Sequence, residues 1–472
     1  MPSRASEFLQ RTVRFSILTM VGAVPTLALC ADINVQDLGT LGGRFTVVAD
    51  LNAAGVATGY SEGADGQIHA FMYVNGEMQD LGTLGGTGSL ASAINDAVQV
   101  TGFALTASGE AHAFLYKGGA LTDLGPSGAT SSGKAINASG RVAGQATPSG
   151  GQSYALLYSG RKVNEFGQSH PGSTSEAIGA QGQVTGTYTD NSVTHAFLYN
   201  GKTFVDLVPG YSSFVSGTHS INTKGSVTGG FQIRDTLHGF VYIKGRATDL
   251  GSLGGDYTVP TAINNAGKIT GISAAASGEH HAFIYSTGSL VDVGTLGGGF
   301  SVGNVLNELD QVAGESETAG GQLHAFVTQQ GSLIDIGATV EGFAPGSVTE
   351  SYAMGINSAG QVIGRYIVST PSDTAMPTKT RSFIATLAPS ASILFQELLS
   401  LSIGVGPGNG LVSKIQQALT AYLVHDTAAT CSALTGYRQE VEAQTGKKIS
   451  AQTAGPLLQK VGALASAVGC SS

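Results

Sequence analysis

An acidic residue closing a short strand recurs at Asp37, Asp80, Asp123, Glu165, Asp206, Asp249, Asp292 and Asp335. Successive separations are 43, 43, 42, 41, 43, 43 and 43 residues. A period this regular confines the chain to architectures that stack or ring one supersecondary unit.

Two further elements keep the same period. An asparagine after an isoleucine or leucine falls at Asn52, Asn95, Asn137, Asn222, Asn264, Asn307 and Asn357, with Gly179 in the fourth slot. Glycine usually follows three residues later, as at Gly55, Gly140, Gly225, Gly267 and Gly360. Asparagine opening a turn that ends on a left-handed glycine is hairpin chemistry. The third element is a histidine before Ala-Phe or Gly-Phe: His69, His112, His195, His238, His281 and His324. It degenerates to Tyr154-Ala155-Leu156 in the third copy and Arg381-Ser382-Phe383 in the last. Each module therefore offers four strands: one before the asparagine turn, one after it, the histidine strand and the acidic strand. Four short strands in about 43 residues is the size of a propeller blade.

The phase of the ends sharpens this reading. The array opens on a lone fourth strand, Ile33 to Gly39, and closes on SYAMGIN, QVIGRY and RSFIATL, three strands lacking a fourth. The N-terminal strand can then complete the last module and remove the open edge. The expected fold is an all-β repeat domain, an eight-bladed β-propeller closed by its N-terminal strand, followed by a small all-α domain. A seven-bladed ring with one aberrant module and an open, capped β-solenoid are the alternatives.

The HAFLY…DLGTLGG and AINxxGxVxG elements from Asp37 to about Phe383 resemble the HAF-repeat family of exported bacterial proteins. That resemblance implies an extracytoplasmic β-repeat protein and no particular activity. From about Pro389 helical spacing takes over at Leu394 and Leu398, Ile415 and Leu419, Leu434 and Val441, then Leu457 and Val461. LTGYRQEVEAQTGKKIS and LLQKVGAL resemble the FIMAH-type helical domain of secreted bacterial proteins, from which Pro456 departs.

The N-terminus reads as an export signal: Arg4, Arg11 and Arg14 precede an apolar run from Ser16 to Cys30. Pro25 and the short apolar length weigh against a membrane anchor. Lipidation at Cys30 is an alternative, against which Leu29 is bulky. The expected divisions are residues 1–31 as signal peptide, 32–388 as propeller and 389–472 as helical domain, with no transmembrane segment once the signal is removed. Export leaves Cys431 and Cys470, an even pair that suggests a disulfide. A net charge of −9, with only 12% charged residues, argues against a nucleic-acid partner.

A catalytic group is needed once per site, whereas His69, His112, His195, His238, His281 and His324 recur once per module. They read as structural, together with Asp80, Asp123, Asp249 and Asp292. Non-repeated groups are the better candidates: the acids Glu62, Asp65, Glu110, Asp190, Asp235, Glu279, Glu315 and Glu317 ahead of the histidine strands, and the aromatics Phe45, Tyr211, Tyr257, Phe300 and Phe343. The Ser369–Thr380 insertion and the third and fourth copies also break the pattern. No nucleophile elbow, phosphate loop, metal or cofactor motif is present. The expectation is an extracellular or periplasmic, non-enzymatic scaffold presenting rim loops to a glycan, cation or protein partner. A polysaccharide hydrolase or lyase and a structural cell-surface component are the alternatives.

Overall fold

The computed structural model of the chain describes residues 33–470 except 161, 216–218, 330, 338–339, 341–347, 370–377, 388–390, 407 and 425, and except the side chains of 392, 393 and 396. The expected signal segment, residues 1–31 with Cys30, the aromatic Phe343 and most of the Ser369–Thr380 insertion lie outside the described residues.

Eight four-stranded antiparallel units follow one another among these residues. Unit 1 comprises Gly42–Leu51, Ala57–Gly63, Ile68–Val74 and Glu77–Asp80, and unit 2 comprises Gly85–Ile94, Val100–Thr106, Ala111–Lys117 and Ala120–Asp123. Units 6 and 7 share one sheet through a single parallel bridge, His280 to Phe300. Unit 8 is built from both ends of the array: Val348–Ile356, Gln361–Ser369, Thr378–Leu387 and the N-terminal strand Ile33–Asp37. That strand pairs antiparallel with the preceding one from Ile33 opposite Leu387 to Asp37 opposite Phe383. Unit 8 also meets unit 1, because the Val48 amide donates to Ser382 Oγ at 2.9 Å. The β domain is thus a propeller with both ends of its strand array in one blade, as the phase of the repeat requires, rather than an open solenoid.

Each third strand buries the phenylalanine of its motif: Phe71, Phe114, Phe197, Phe240, Phe283, Phe326 and Phe383 are at most 1% exposed. Leu156 takes this place in unit 3. Full burial of one such side chain stabilises by about 1.5–3 kcal/mol. The ring needs room, and a glycine of the second strand provides it. A Cβ on Gly186 or Gly229 would lie 2.8 or 2.9 Å from the phenylalanine beneath, and 1.9 or 2.2 Å from a first-strand carbonyl oxygen.

Asparagine side chains tie the units at one end of the first strands. Asn52 Oδ1 accepts from the Ala54 and Val56 amides, closing its own turn. Its Nδ2 donates to the Asn95 carbonyl of the next unit at 3.2 Å. Asn95, Asn137, Asn222, Asn264 and Asn307 repeat the step, and Asn357 Nδ2 returns to the Asn52 carbonyl at 3.2 Å. The ladder breaks at Gly179, where a Cβ would meet the movable Gln183 Oε1 at 2.7 Å. Gln183 Oε1 is itself buried without a partner among the described residues. Gly179→Asn should restore the missing link and stabilise the protein by about 1 kcal/mol. Equilibrium denaturation measures this, and a lower midpoint would mean that the slot cannot accept the side chain.

The helices form a second compact unit: α1 (Ala391–Ser402), α2 (Gly410–Leu423), α3 (Thr427–Gln444) and α4 (Ala451–Ala467). Leu394, Leu398, Ile415, Leu434, Tyr437, Val441, Leu457, Val461 and Leu464 make its core. Asp426 caps α3, accepting the Ala429 amide at 2.9 Å. Cys431 and Cys470 are joined by a disulfide. No helix among the described residues is long and apolar enough to cross a membrane.

Candidate functional site

The repeated histidines and acids meet one another within each unit. His69 Nδ1 lies 2.7 Å from Asp80 Oδ2, His238 3.0 Å from Asp249, His281 2.8 Å from Asp292 and His324 2.7 Å from Asp335. His112 contacts Asp123 at 2.9 Å, and His195 approaches Asp206 to 3.1 Å without an aligned hydrogen bond. The other carboxylate oxygen accepts a backbone amide two residues on, as Asp80 does from Gly82 at 2.7 Å. Where the motif changes, the contact survives. Tyr154 donates to Glu165 at 2.8 Å in unit 3, and Arg381 meets Asp37 at 3.2 Å across the closing strand pair of unit 8.

A recurrent serine or threonine, not singled out in the sequence, carries the unit-to-unit contact. Ser89, Ser131, Ser173, Ser213, Ser301 and Ser351 each accept, at 2.8–3.0 Å, the amide of the motif alanine in the preceding unit. Ser89 then donates to the Gly82 carbonyl at 2.6 Å. The period was the available signal, obscured by alternation with Thr46 and Thr258, which make the same carbonyl contact.

The rim acids are not brought together. Glu62 accepts the Arg44 amide at 2.7 Å and pairs with its guanidinium at 2.8 Å, and these contacts hold its carboxyl below the usual carboxylate range. Glu317 accepts the Gly299 amide at 2.9 Å, and Asp65 the Gln67 amide at 3.0 Å. Glu110 and Glu279 receive the hydroxyls of Ser108 and Ser277. Asp190 and Asp235 are exposed at hairpin turns. No group of three or more histidine, cysteine or acidic side chains among the described residues could hold a metal ion. Among the aromatics, Phe45 packs edge-on to Tyr60, Tyr257 to His280 and Tyr211 to Phe231. Phe300 is half-buried in the first strand of unit 7.

Variation concentrates elsewhere. The residue after the second-strand glycine pairs with a fixed first-strand position. The pairs are Val47–Tyr60, Leu90–Phe103, Ser132–Gln145, Thr174–Thr187, Phe214–Gly230, Val259–Ile272, Val302–Glu315 and Tyr352–Arg365. Two consecutive polar members, Glu315 and Tyr352–Arg365, satisfy one another or near neighbours. The Arg365 guanidinium sits 4.8 Å from the centre of the Tyr352 ring. Tyr352 donates to Glu350, and Asn304 donates to Glu315. Burial pushes the Glu315 carboxyl up to about 7 and, with the neighbouring Glu350, the Tyr352 hydroxyl up to about 12.

Unit 3 differs. Its strands Ala129–Ile136 and Val142–Pro148 face unit 2 across an open cavity of about 210 Å³, lined by Phe103, Ala111, Thr130, Ser132, Gln145 and Thr147 among others. Gln145 Oε1 is buried there with no hydrogen-bond partner among the described residues.

No protein-family profile matches the sequence, and no curated protein matches it. Among solved structures, a puromycin-hydrolyzing peptidase of Mycobacterium tuberculosis is similar at 10% identity and TM-score 0.42, over 71% of this chain and 61% of its own. TolB from Acinetobacter baumannii is similar at 13% identity and TM-score 0.34, over 63% of this chain and 79% of its own. The SapL1 lectin in complex with α-methyl fucoside is similar at 12% identity and TM-score 0.29, over 54% of this chain and 98% of its own. These values assign no ligand or activity to this chain.

Proposed function

We propose that this chain is an exported, non-enzymatic binding scaffold of the HAF-repeat kind. Its propeller would present non-repeated side chains to a glycan, cation or protein partner, and its helical unit would serve as a FIMAH-like interaction module. The observation that carries the reading is the division of labour among polar groups. Repeated histidines, acids, serines and asparagines are used in bonds that build the ring, whereas polar residues at the variable cross-strand register differ from unit to unit. The Cys431–Cys470 disulfide suits an oxidising, extracytoplasmic compartment.

One observation favours a polysaccharide hydrolase or lyase instead. Glu315, raised to about 7 beside Tyr352 and Arg365, has the proton affinity of a general acid. A glycosidase also needs a second carboxylate about 5–10 Å away on the other side of the bond. The test uses the mature chain against a glycan array, divalent cations and extracellular protein extracts, with polysaccharide turnover assayed in parallel. Saturable binding without turnover is expected. Turnover abolished by Glu315→Gln would replace the scaffold reading with the enzymatic one.

A further inference from the structure

We infer that the cavity between units 2 and 3 binds one neutral, hydroxyl-bearing ring of a glycan, with Gln145 as its principal hydrogen-bonding group and Phe103 as its apolar wall. This rests on the scaffold reading above and adds a place and a ligand class to it.

The first step is a departure from the repeat. Units 1, 2 and 6 place apolar or aromatic partners at the variable register: Val47–Tyr60, Leu90–Phe103 and Val259–Ile272. Unit 3 places Ser132 and Gln145 there. At the same register near units 7 and 8, the polar side chains find partners in Asn304, Glu350 and one another. In unit 3, among the described residues, the Gln145 Oε1 atom is buried and unpartnered. Native interiors rarely leave a buried acceptor unsatisfied, because the lost solvation is not returned. A hydrogen-bonding group entering beside the amide, from water or from a ligand, would complete it.

The second step is room. A volume of about 210 Å³ holds roughly seven waters at their share of the liquid. It falls below the roughly 300–1,000 Å³ of pockets for drug-sized ligands. One six-membered ring fits this scale, and an extended oligosaccharide would have to continue outside it.

The third step is chemistry. Among the described residues, no lysine, arginine, aspartate or glutamate lines the cavity. A phosphate or sulfate would find no cation there, and a divalent cation no carboxylate. The wall instead offers an amide with an acceptor and two donors, the hydroxyls of Thr130, Ser132 and Thr147, and the Phe103 ring. A pyranose carries the complementary set: hydroxyls that both donate and accept, and a C–H face that packs on an aromatic ring.

Isothermal titration of the full mature chain with methyl pyranosides tests this, using hexoses, deoxyhexoses and N-acetylhexosamines as the panel. At least one should bind saturably, and Gln145→Leu should weaken it tenfold or more. Gln145→Leu should leave the melting midpoint unchanged or higher, since it replaces an unpartnered amide with an apolar group of similar size. Ser132→Ala gives a second, smaller perturbation expected to weaken binding several-fold. Pyranoside binding that survives Gln145→Leu within twofold would overturn the site while leaving the scaffold reading standing. Failure of the whole panel, with a protein or cation captured in the broader screen, would overturn the ligand class and again spare the scaffold. A crystal grown with a bound pyranoside that shows only ordered water in the cavity would also overturn it.

Discussion

Gly102→Ala should cost the propeller about 3 kcal/mol or more, making it among the most damaging single-methyl additions available to this chain. Gly102 lies mid-strand with an ordinary backbone angle, so intrinsic propensity assigns its replacement no large penalty. The damage comes from where the methyl group would go. A Cβ there would sit 1.9 Å from the Leu90 carbonyl oxygen and 2.8 Å from the Ala91 Cα, both backbone atoms of the paired first strand. The register between these strands shifts between Ala91 and Ala93, and this bulge presses the carbonyl towards the glycine. The strand cannot retreat freely, because its Ser89 holds the amide of Ala70 in unit 1. Gly109→Ala is the control. Gly109 adopts φ +85° in a hairpin turn with nothing within 4 Å of a new Cβ, so it suffers only left-handed strain of about 1–2 kcal/mol. Urea unfolding of both variants separates close approach from backbone angle. Equal losses would show that the bulge relaxes and that the glycine is not a packing requirement.

The same glycine marks what the sequence could and could not convey. Period and phase are properties of the chain, so the four-stranded units and the joining of Ile33–Asp37 to the last of them were legible in the sequence. The histidine–acid contacts were legible as well, because the two residues stand 11 apart on adjacent strands of one hairpin and recur together. A glycine inside VATGY or KITGIS carries no sign of the carbonyl that will press on it. That approach is created by pairing register. The local bonds of two rim acids were hidden for a related reason. Glu62 and Glu317 stand at strand ends where each reaches back to an amide of its own first strand, 18 residues earlier in the chain. Gln145 was illegible in another way. As one residue of VAGQATP it is an ordinary polar strand position. It becomes notable only when the register sets it beside Ser132 and opposite Phe103, with a cavity between.

Breaking the Cys431–Cys470 bridge should have the other large effect, confined to the helical signal. The bridge joins α3 to the residues just beyond α4 and spans 39 residues. On the chain-entropy account, closing a loop of that length removes about 4 kcal/mol of freedom from the unfolded state. A domain of this size has a total stability of only about 5–15 kcal/mol. The folded unit should change little, because its core of Ile415, Leu434, Tyr437, Val441, Leu457 and Leu464 forms without either sulfur. The Ser402–Tyr437 hydrogen bond at 2.7 Å also remains. Cys431→Ala/Cys470→Ala should therefore keep its helical circular dichroism at low temperature and lose it far earlier on heating or in urea. Reduction of the unmodified protein should reproduce the shift, while the β-sheet transition stays in place. A helical transition that moves by less than about 1 kcal/mol would mean that the unfolded segment is already compact enough for the bridge to constrain little.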